Sequence, residues 1–477
     1  MNTLAEIAYR FTPARLRSVP ASLQGYYLRS WRYGPETERL VEETLARDYW
    51  TTEQWQFWHT ATLNRLLDRA VRCVPHYRHY WHNRADRIVP PGLDEWPVLE
   101  KEPLRSNPSA FLADGAPRRL YAEHTSGTTG TPLTLWQSRT TLRTWYAMFE
   151  ARTRRWYGVS RYDRWAILGG RMVQPAWRHR PPYWVWNAAF RQLYLSSYHI
   201  SPETIPSYLD AIKRYGVTYL LGYPSALHEL ALGAIDLKRG NLRMKVAVTN
   251  AEPLFEYQRL SIAEAFNCPV RETYGMSELA AAASECQAGQ MHLWPDAGIV
   301  EVLENDRPVG PGAVGDLVVT GLLNSDMPLI RYRVGDRGAL SEKTSCPCGR
   351  TLPILQKVDG RSDDALYTPD GRTIGRLDPA FKVGLPIREA QVIQEEIDLI
   401  RVLYVPAGGF AARHGEEIIR QVRSRLGNVR VVLEAVAQVP RTANGKFRAV
   451  VCNLPPDRRF PGSRTDTDSA PAMFVKR

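Results

Sequence analysis

The sequence has no apolar run near the roughly 20 residues that a membrane-spanning helix requires, and charges interrupt the N-terminal stretch where a signal peptide would lie. Its six cysteines are too few and too dispersed for a disulfide framework in a chain of 477 residues. Lysine is scarce, with nine among the 62 basic residues. These shortages exclude a disulfide-rich secreted domain and an integral membrane protein, and they predict a cytoplasmic protein.

The chain carries a formal charge of +12, but its basic residues are scattered, and short clusters such as Arg152–Arg155 stand beside aromatic residues. Proteins that bind nucleic acid usually concentrate such charge on one face or in a tail. We therefore predict no nucleic-acid partner and favour an anionic small ligand. The stretch Leu4–Leu28 has amphipathic character, which is typical of a helix packed on its own domain; weak contact with a membrane surface is the alternative.

The order of the apolar patterns predicts an α/β protein of more than one domain, as expected when a chain is too long for a single core. The first hundred residues have helical spacing, and strands then alternate with helices, which indicates parallel-rich sheets covered by helices. We predict a large N-terminal domain over 1–362, with a β-rich part over 295–358. A small, mobile α+β domain would follow over 363–455, and the polar tail 456–477 would be disordered.

A segment rich in glycine and hydroxyl groups runs from His124 to Pro132 as His-Thr-Ser-Gly-Thr-Thr-Gly-Thr-Pro. Glycine lets a backbone turn tightly beside a ligand, and hydroxyl and main-chain N–H groups donate to phosphate oxygens. No Gly-Lys-Ser/Thr follows, so the segment is not a Walker A loop. It indicates a phosphate-binding loop, with a polar surface turn as the alternative when the segment is taken alone.

Three further segments carry groups that suit a nucleotide. Glu272–Glu278 follows a strand and should emerge at the carboxyl edge of the sheet, where an aromatic ring can stack on a purine and a carboxylate can hold Mg²⁺. Asp336, expected just after a strand, can accept both ribose hydroxyls. The turn-rich segment Pro440–Lys446 presents one of the few lysines.

In this order, the segments resemble those of the adenylate-forming, or acyl-activating, superfamily, and above all its phenylacetate–CoA ligase branch with the CapK-type relatives. The resemblance extends from about His124 to Lys446. It implies an ATP-dependent acid–thiol ligase that uses ATP and Mg²⁺ to convert a carboxylic acid into acyl-AMP and pyrophosphate. The acyl group would then pass to the thiol of coenzyme A or of an acyl-carrier protein.

The resemblance also implies a role for each matching residue. Glu278 would bind magnesium, Lys446 would reach the carboxylate and the α-phosphate, and Thr128 is the third residue assigned to catalysis. Tyr274 would stack on adenine, and Asp336 would hold the ribose. The remaining contacts to the phosphates, adenine and ribose would come from Thr125, Ser126, Gly127, Thr129, Gly130, Ala251, Glu252, Pro253, Gly275, Ser277 and Arg361.

The chain departs from the family pattern at two places. Leu133 stands where many members have a lysine, and Leu366–Arg376 replaces the Arg-Gly loop that follows the hinge, here Asp363. Adenylation is therefore better supported than transfer to coenzyme A. Two alternatives stay open: a degenerate member that only binds a nucleotide or acyl group, and a carrier-dependent enzyme of polysaccharide or secondary-metabolite biosynthesis. The presence of both Glu278 and Lys446 argues against a degenerate member that only binds.

Cysteines 346 and 348 form a tight knuckle, and two thiolates so placed could share a metal with Cys286 and His292. Some phenylacetate–CoA ligase relatives have a similar arrangement and hold structural zinc. The site would be structural, because all four ligands come from the protein. The alternative is a turn with reduced thiols.

Aromatic residues cluster at Tyr183–Trp186 and Trp177, in the region where the family usually builds its substrate pocket. Aromatic side chains bury a large apolar area, so they are candidates for the walls of an acyl pocket. A place in the core is the alternative.

Overall fold

A computed structural model of the chain describes residues 9, 12–82, 92–124, 133–171, 173–174, 180–239, 242–361, 366–369, 373–374, 385–442 and 447–455. The chain divides into two compact units. The first comprises residues 1–359 together with the short segment 441–447, and the second comprises residues 360–440 and 448–477. The tail predicted to be disordered, 456–477, lies outside the described residues.

The described residues form ten α-helices. Hydrogen bonds in the first turn explain where a helix begins. At the start of the helix Thr52–Cys73, the Thr51 hydroxyl accepts from the Gln54 N–H and the Gln54 side chain accepts from the Thr51 N–H. The helices are α1 (Ser18–Arg32), α2 (Thr37–Arg47), α3 (Thr52–Cys73), α4 (Pro75–His82), α5 (Lys101–Ser106), α6 (Arg139–Thr153), α7 (Ile205–Arg214), α8 (Pro224–Asp236), α9 (Glu256–Phe266) and α10 (Ala412–Leu426).

The strands of the described residues belong to five sheets. In the first part of the chain they are β1 (Tyr121–His124), β2 (Thr134–Gln137), β3 (Trp165–Gly169), β4 (Trp184–Asn187), β5 (Gln192–Ser196), β6 (Tyr219–Gly222), β7 (Ala247–Thr249), β8 (Val270–Gly275), β9 (Ala282–Glu285) and β10 (Met291–Leu293). The others are β11 (Gly298–Glu304), β12 (Arg307–Pro308), β13 (Gly315–Gly321), β14 (Tyr332–Leu340), β15 (Leu355–Arg361), β16 (Leu366–Tyr367), β17 (Thr373–Ile374), β18 (Ile387–Glu396), β19 (Leu399–Pro406), β20 (Arg430–Ala435) and β21 (Val450–Cys452).

An eight-stranded sheet of order β10-β9-β8-β7-β6-β3-β5-β4 lies at the centre of the first unit. Strands β5, β3, β6, β7 and β8 are parallel to one another, and β4, β9 and β10 join antiparallel. Every residue of β6 is buried, as expected for a parallel strand covered on both faces. Leu220 packs with α7, α8 and α9 on one face, and Tyr219 and Leu221 belong to the cluster on the other.

Helix α1 covers the outer edge of this sheet. The hydroxyls of Ser18 and Ser22 accept the N–H groups of Trp186, in edge strand β4, and of Ala188, just beyond it, at 3.2 and 3.0 Å. The helix therefore packs on its own unit through one face. Its other face leaves apolar side chains exposed, namely Val19, Leu23, Tyr26 and Tyr27. No helix within the described ranges is long and apolar enough to cross a membrane.

A five-stranded sheet of order β12-β11-β13-β14-β15 forms the β-rich part of the chain. Its side chains share a core with those of α3, including Leu67, Val319 and Tyr332. The second unit is smaller, with the sheet β20-β19-β18-β21 and helix α10 around a core that includes Val392 and Ile418. The predicted α/β fold class is thereby confirmed.

Candidate functional site

The phosphate-loop candidates and three other predicted residues lie wholly or partly outside the described residues. Thr125–Gly130, with the catalytic candidate Thr128, lies outside the described residues, as do the hinge candidate Asp363, Lys446 and the side chain of Arg361. The strands on either side of the loop are described: β1 and β2 pair antiparallel, with His124 opposite Thr134. The loop candidate thus joins two neighbouring hydrogen-bonded strands.

Strands β7 and β8 are parallel neighbours, so the segments that follow them leave the same edge of the sheet. Ala251, Glu252 and Pro253 follow β7, and Ala251 adopts a positive φ of 66°. Tyr274 and Gly275 end β8, and Ser277 and Glu278 come directly after. The predicted adenine, phosphate and magnesium residues are therefore brought to one edge.

Glu252 is buried, with 7% of its surface exposed, and both its oxygens accept main-chain N–H groups. One oxygen accepts from Ser225 in the first turn of α8 at 3.1 Å, and the other from Phe447 at 2.5 Å. Burial raises the pKa of this carboxyl, while the two N–H donors oppose the rise. Glu252 thus joins the first turn of α8 to Phe447, the residue that follows the lysine candidate in the sequence.

Strand β14 supplies a partner to each end of the Tyr274–Glu278 segment. The Tyr274 hydroxyl donates to the Asp336 carboxylate at 2.8 Å, and the Tyr332 hydroxyl donates to the Glu278 carboxylate at 3.1 Å. The ribose candidate and the adenine candidate are therefore in direct contact. Strand β14 also fixes Glu278, the candidate magnesium ligand, through Tyr332.

The expected position of Asp336 just after a strand is wrong, because β14 continues past it to Leu340. The pairing with β13 shifts at this point: Val318 is opposite Arg333, but Asp316 is opposite Arg337. Gly335 has a φ of +80°, the left-handed conformation that glycine adopts without strain. A bulge in a continuous strand, rather than a strand end, presents Asp336.

Glu278 lies in an environment that is unfavourable for an unpaired carboxylate. Burial raises its pKa, the charge of Asp336 adds to that effect, and Lys101 and the Tyr332 hydroxyl oppose it. Lys101, at the start of α5, is a residue that the sequence reading missed. The side-chain amide of Gln137 donates to the Ser277 carbonyl at 3.1 Å and so fixes the segment before Glu278.

The four predicted metal ligands come together: the ligand atoms of Cys286, His292, Cys346 and Cys348 all lie within 4.8 Å of one another. The Cys286 and Cys346 sulfurs are 3.6 Å apart, and the Cys348 sulfur is 3.4 Å from His292 Nε2. His292 Nδ1 lies 3.0 Å from the Leu352 carbonyl, which favours a proton on Nδ1 and leaves Nε2 able to bind a metal.

These spacings fit a tetrahedral zinc ion. With zinc–ligand bonds of about 2.0–2.3 Å, the ligand atoms of a tetrahedron stand about 3.3–3.8 Å apart. The two contacts above fall in that range. Strands β9 and β10 bring Cys286 and His292 together, and the Gly349 N–H closes the knuckle by donating to the Cys346 carbonyl at 3.0 Å.

A buried ion network lies beside this cluster. Arg152 donates to Asp48 at 2.8 Å and to Asp296 at 2.5 Å, and all three side chains are almost completely buried. The Trp156 indole donates to Asp48 at 2.7 Å, and its ring is 6.2 Å from that of His292. Burial raises the pKa of Asp48, which the charge of Arg152 opposes. The network joins α2, α6 and the loop before β11 next to the cysteines.

The aromatic candidates for an acyl pocket lie in the core or pack against it. Tyr183 is buried and stacks between His199 and Tyr208, with ring centroids 5.4 and 5.7 Å away. Trp186 stacks on Tyr215 at 5.1 Å. The structure favours the core alternative for these residues, and Trp177 lies outside the described residues.

The fold is that of the adenylate-forming CoA ligases. The crystal structure of 2-hydroxyisobutyryl-CoA ligase in the postadenylation state, in complex with R3-HIB-AMP, matches with a TM-score of 0.63 at 21% sequence identity. The match covers 83% of this chain and 89% of that one. At this identity the likeness establishes the shared fold.

Sequence comparisons also find similar proteins. Protein CapK of Staphylococcus aureus is 24% identical over 378 residues, 77% of this chain and 82% of CapK. A phenylacetate–coenzyme A ligase of Thermus thermophilus is 30% identical over 251 residues, 45% of this chain and 56% of the ligase. Residues 366–453 match the family model of the CapK C-terminal domain. The chain is a relative of CapK and the phenylacetate–CoA ligases, and the resemblance drawn from its motifs is confirmed.

Proposed function

We propose that this protein activates a carboxylic acid with ATP and Mg²⁺ to form acyl-AMP and pyrophosphate. The observation that carries the proposal is the convergence at one sheet edge: Tyr274 hydrogen-bonded to Asp336, and Glu278 to Tyr332. An aromatic ring next to a carboxylate suits a nucleoside, and a second, poorly solvated carboxylate suits a cation. The similarity to acyl-CoA ligases supports the same assignment.

In this proposal the acid's carboxylate oxygen attacks the α-phosphorus of ATP, and the bond to the β-phosphate oxygen breaks to release pyrophosphate. The reaction requires no protein nucleophile. The contribution of the residues is to align the two anionic reactants. Tyr274 stacks on adenine, Asp336 holds the ribose hydroxyls, and Lys446 approaches the reacting phosphate. Magnesium held by Glu278 would neutralise phosphate charge.

Transfer of the acyl group to a thiol follows in the proposal, with coenzyme A or a carrier phosphopantetheine as the acceptor. The segment after the hinge candidate forms the short hairpin β16–β17, in which Leu366 pairs with Ile374. This hairpin belongs to the stretch Leu366–Arg376, where the sequence departs from the family pattern, so the acceptor is tested separately from adenylation.

The test is pyrophosphate release from ATP and Mg²⁺ across aryl, short-chain, long-chain and amino acids, with hydroxylamine present to trap acyl-AMP. We expect release that depends on the acid and yields the matching hydroxamate. Addition of coenzyme A to the best acid then separates a CoA ligase from a carrier-dependent enzyme. ATP binding without release for any acid would favour the degenerate binding protein, and absence of ATP binding would refute the proposal.

We further propose that Cys286, His292, Cys346 and Cys348 hold structural zinc. The prediction is about one zinc ion per chain in protein purified without chelators. Cys348→Ser should lose the metal and lower the melting temperature. Cys268→Ser, another buried cysteine outside the cluster, is the control and should keep it. Elemental analysis checks the stoichiometry; an equal, low zinc content in all three proteins would contradict the assignment.

A further inference from the structure

A cavity of about 210 Å³ lies between α1, α6, the β1–β2 hairpin and the segment that follows β8. Ser277 forms part of its wall, one residue before Glu278. The cavity thus reaches the segment that carries the proposed magnesium ligand. Aromatic rings form much of the remaining wall, from Trp31, Tyr121, Trp145 and Tyr146.

Its size restricts what it can hold. A cavity of about 150 Å³ lined by apolar side chains takes benzene. This one therefore has room for a group of that size and a few more heavy atoms. Long acyl chains and nucleotides are too large.

Leu279, which also lines the cavity, adopts a φ of +55°. A bulky L-residue rarely takes that conformation, and such strained residues occur at ligand-binding positions. The Leu279 N–H donates to the Met276 carbonyl at 3.2 Å, which holds the turn around Ser277 and Glu278. This hydrogen bond holds the backbone of Leu279 in its left-handed conformation at the cavity wall.

Among the described residues, the two charged side chains of the wall, Arg32 and Glu123, and the indole of Trp31 have no hydrogen-bond partner. Trp31 is 4% exposed, and its buried indole N–H is unpaired. Arg32 stands over the ring of Tyr146, 4.4 Å from its centroid, and Glu123 is half-buried. Burial raises the pKa of Glu123, and the charge of Arg32 opposes that rise. Unpaired buried polar groups are costly, so a ligand that pairs with them gains affinity.

The chemistry of these groups selects the ligand. Trp31 and Arg32 can only donate, and Glu123 accepts when ionised. A hydroxyl has one proton to donate and two lone pairs that accept, so a single group matches all three side chains. An ammonium group has no lone pair for the two donors, and a second carboxylate would meet the charge of Glu123.

We propose that this cavity holds the acyl part of the substrate and that Trp31, Arg32 and Glu123 select a compact acid that carries a hydroxyl group. The inference rests on the proposed adenylation, because it identifies the acid that this reaction would consume. Glu123 and Trp31 are specificity residues here, with no part in the transfer of the adenylyl group.

Binding is measured by titration calorimetry on the full chain with α,β-methylene-ATP, which blocks adenylation. Acids are compared in pairs that differ by one substituent: benzoate with its monohydroxy isomers and 4-aminobenzoate, and butyrate with its hydroxy isomers. We expect one hydroxylated acid to bind about 10- to 100-fold more tightly than its parent, which corresponds to the cost of leaving one buried donor or acceptor unsatisfied.

The variants test which residues cause the preference. Trp31→Phe keeps an aromatic ring and removes the N–H, and Glu123→Met removes the acceptor. In both variants the ratio of the dissociation constants of the parent acid and the hydroxylated acid should approach one. Glu123→Gln keeps an acceptor and should therefore keep most of the preference for the hydroxylated acid. Trp55→Phe is the control, because it also removes a buried, unpaired indole N–H but lies outside this cavity.

An unchanged preference in Trp31→Phe and Glu123→Met would overturn the inference, as would the lack of any preference for a hydroxylated acid. Pyrophosphate release with other acids in that case would leave the proposed adenylation intact. Tight, selective binding of a hydroxy acid without pyrophosphate release when ATP replaces the analogue would instead refute adenylation and keep the cavity assignment.

Discussion

Glu278→Gln should lower acid-dependent pyrophosphate release by about 10²- to 10³-fold, the usual effect of removing one group that stabilises transition-state charge. The amide keeps the size of the side chain and can still accept from the Tyr332 hydroxyl. It removes the negative charge that a hard cation such as Mg²⁺ requires. The measurement is the initial rate over a range of Mg²⁺ concentrations, with folding checked by circular dichroism.

Tyr332→Phe is the matched control, because it removes the hydrogen bond and leaves the carboxylate in place. We expect it to lower the rate by less than about tenfold, as for a single neutral donor. Lys446→Ala should reduce the rate as much as Glu278→Gln, since under the proposed mechanism it removes the positive charge that would meet the reacting phosphate. If Glu278→Gln retained more than a tenth of the activity, its role in cation binding would be wrong.

Arg152→Ala should lower the free energy of unfolding of the first unit by about 3–5 kcal/mol, the usual cost of removing one partner of a buried ion pair. Arg152 donates to both Asp48 and Asp296, and neither carboxylate has access to water that would replace it. Urea unfolding followed by tryptophan fluorescence measures the loss. Zinc content measured on the same variant reports whether the nearby cluster depends on this network.

Arg39→Ala is the control for loss of an ion pair as such. Arg39 pairs with Glu43 one helical turn away on the exposed face of α2, where such pairs contribute about 0.3–0.5 kcal/mol. A change of similar size in Arg152→Ala would mean that water or another group compensates the two aspartates.

The sequence predicted the sheet edge because parallel strands place their carboxyl ends together. Tyr274, Ser277 and Glu278 could be assigned to that edge from the strand before them. The residues that surround Glu278 could not be assigned from the sequence in this way. Lys101 begins a helix of six residues, and Tyr332 lies in a strand of a different sheet, so only the tertiary packing brings either one to Glu278.

The metal cluster and the ion network show the same distinction. Two cysteines separated by one residue are a local sign of a metal site, and Cys286 and His292 are residue types that complete a zinc ligand set. The basic cluster at Arg152–Arg155 gave no such sign, because its acidic partners are 104 and 144 residues away. The bulge at Gly335 escaped prediction for a related reason: one glycine does not reveal that a strand continues beyond it.

The serine hydroxyls of α1 have a consequence for solubility. An open sheet edge offers main-chain N–H groups on which a strand of another molecule can form, and this is a common route to aggregation. In this protein, Ser18 and Ser22 already occupy two such groups, and the helix stands where the foreign strand would lie. A chain shortened past α1 would expose this edge beside Trp184 and Trp186 and so would self-associate. The first helix therefore keeps the central sheet from extending between molecules.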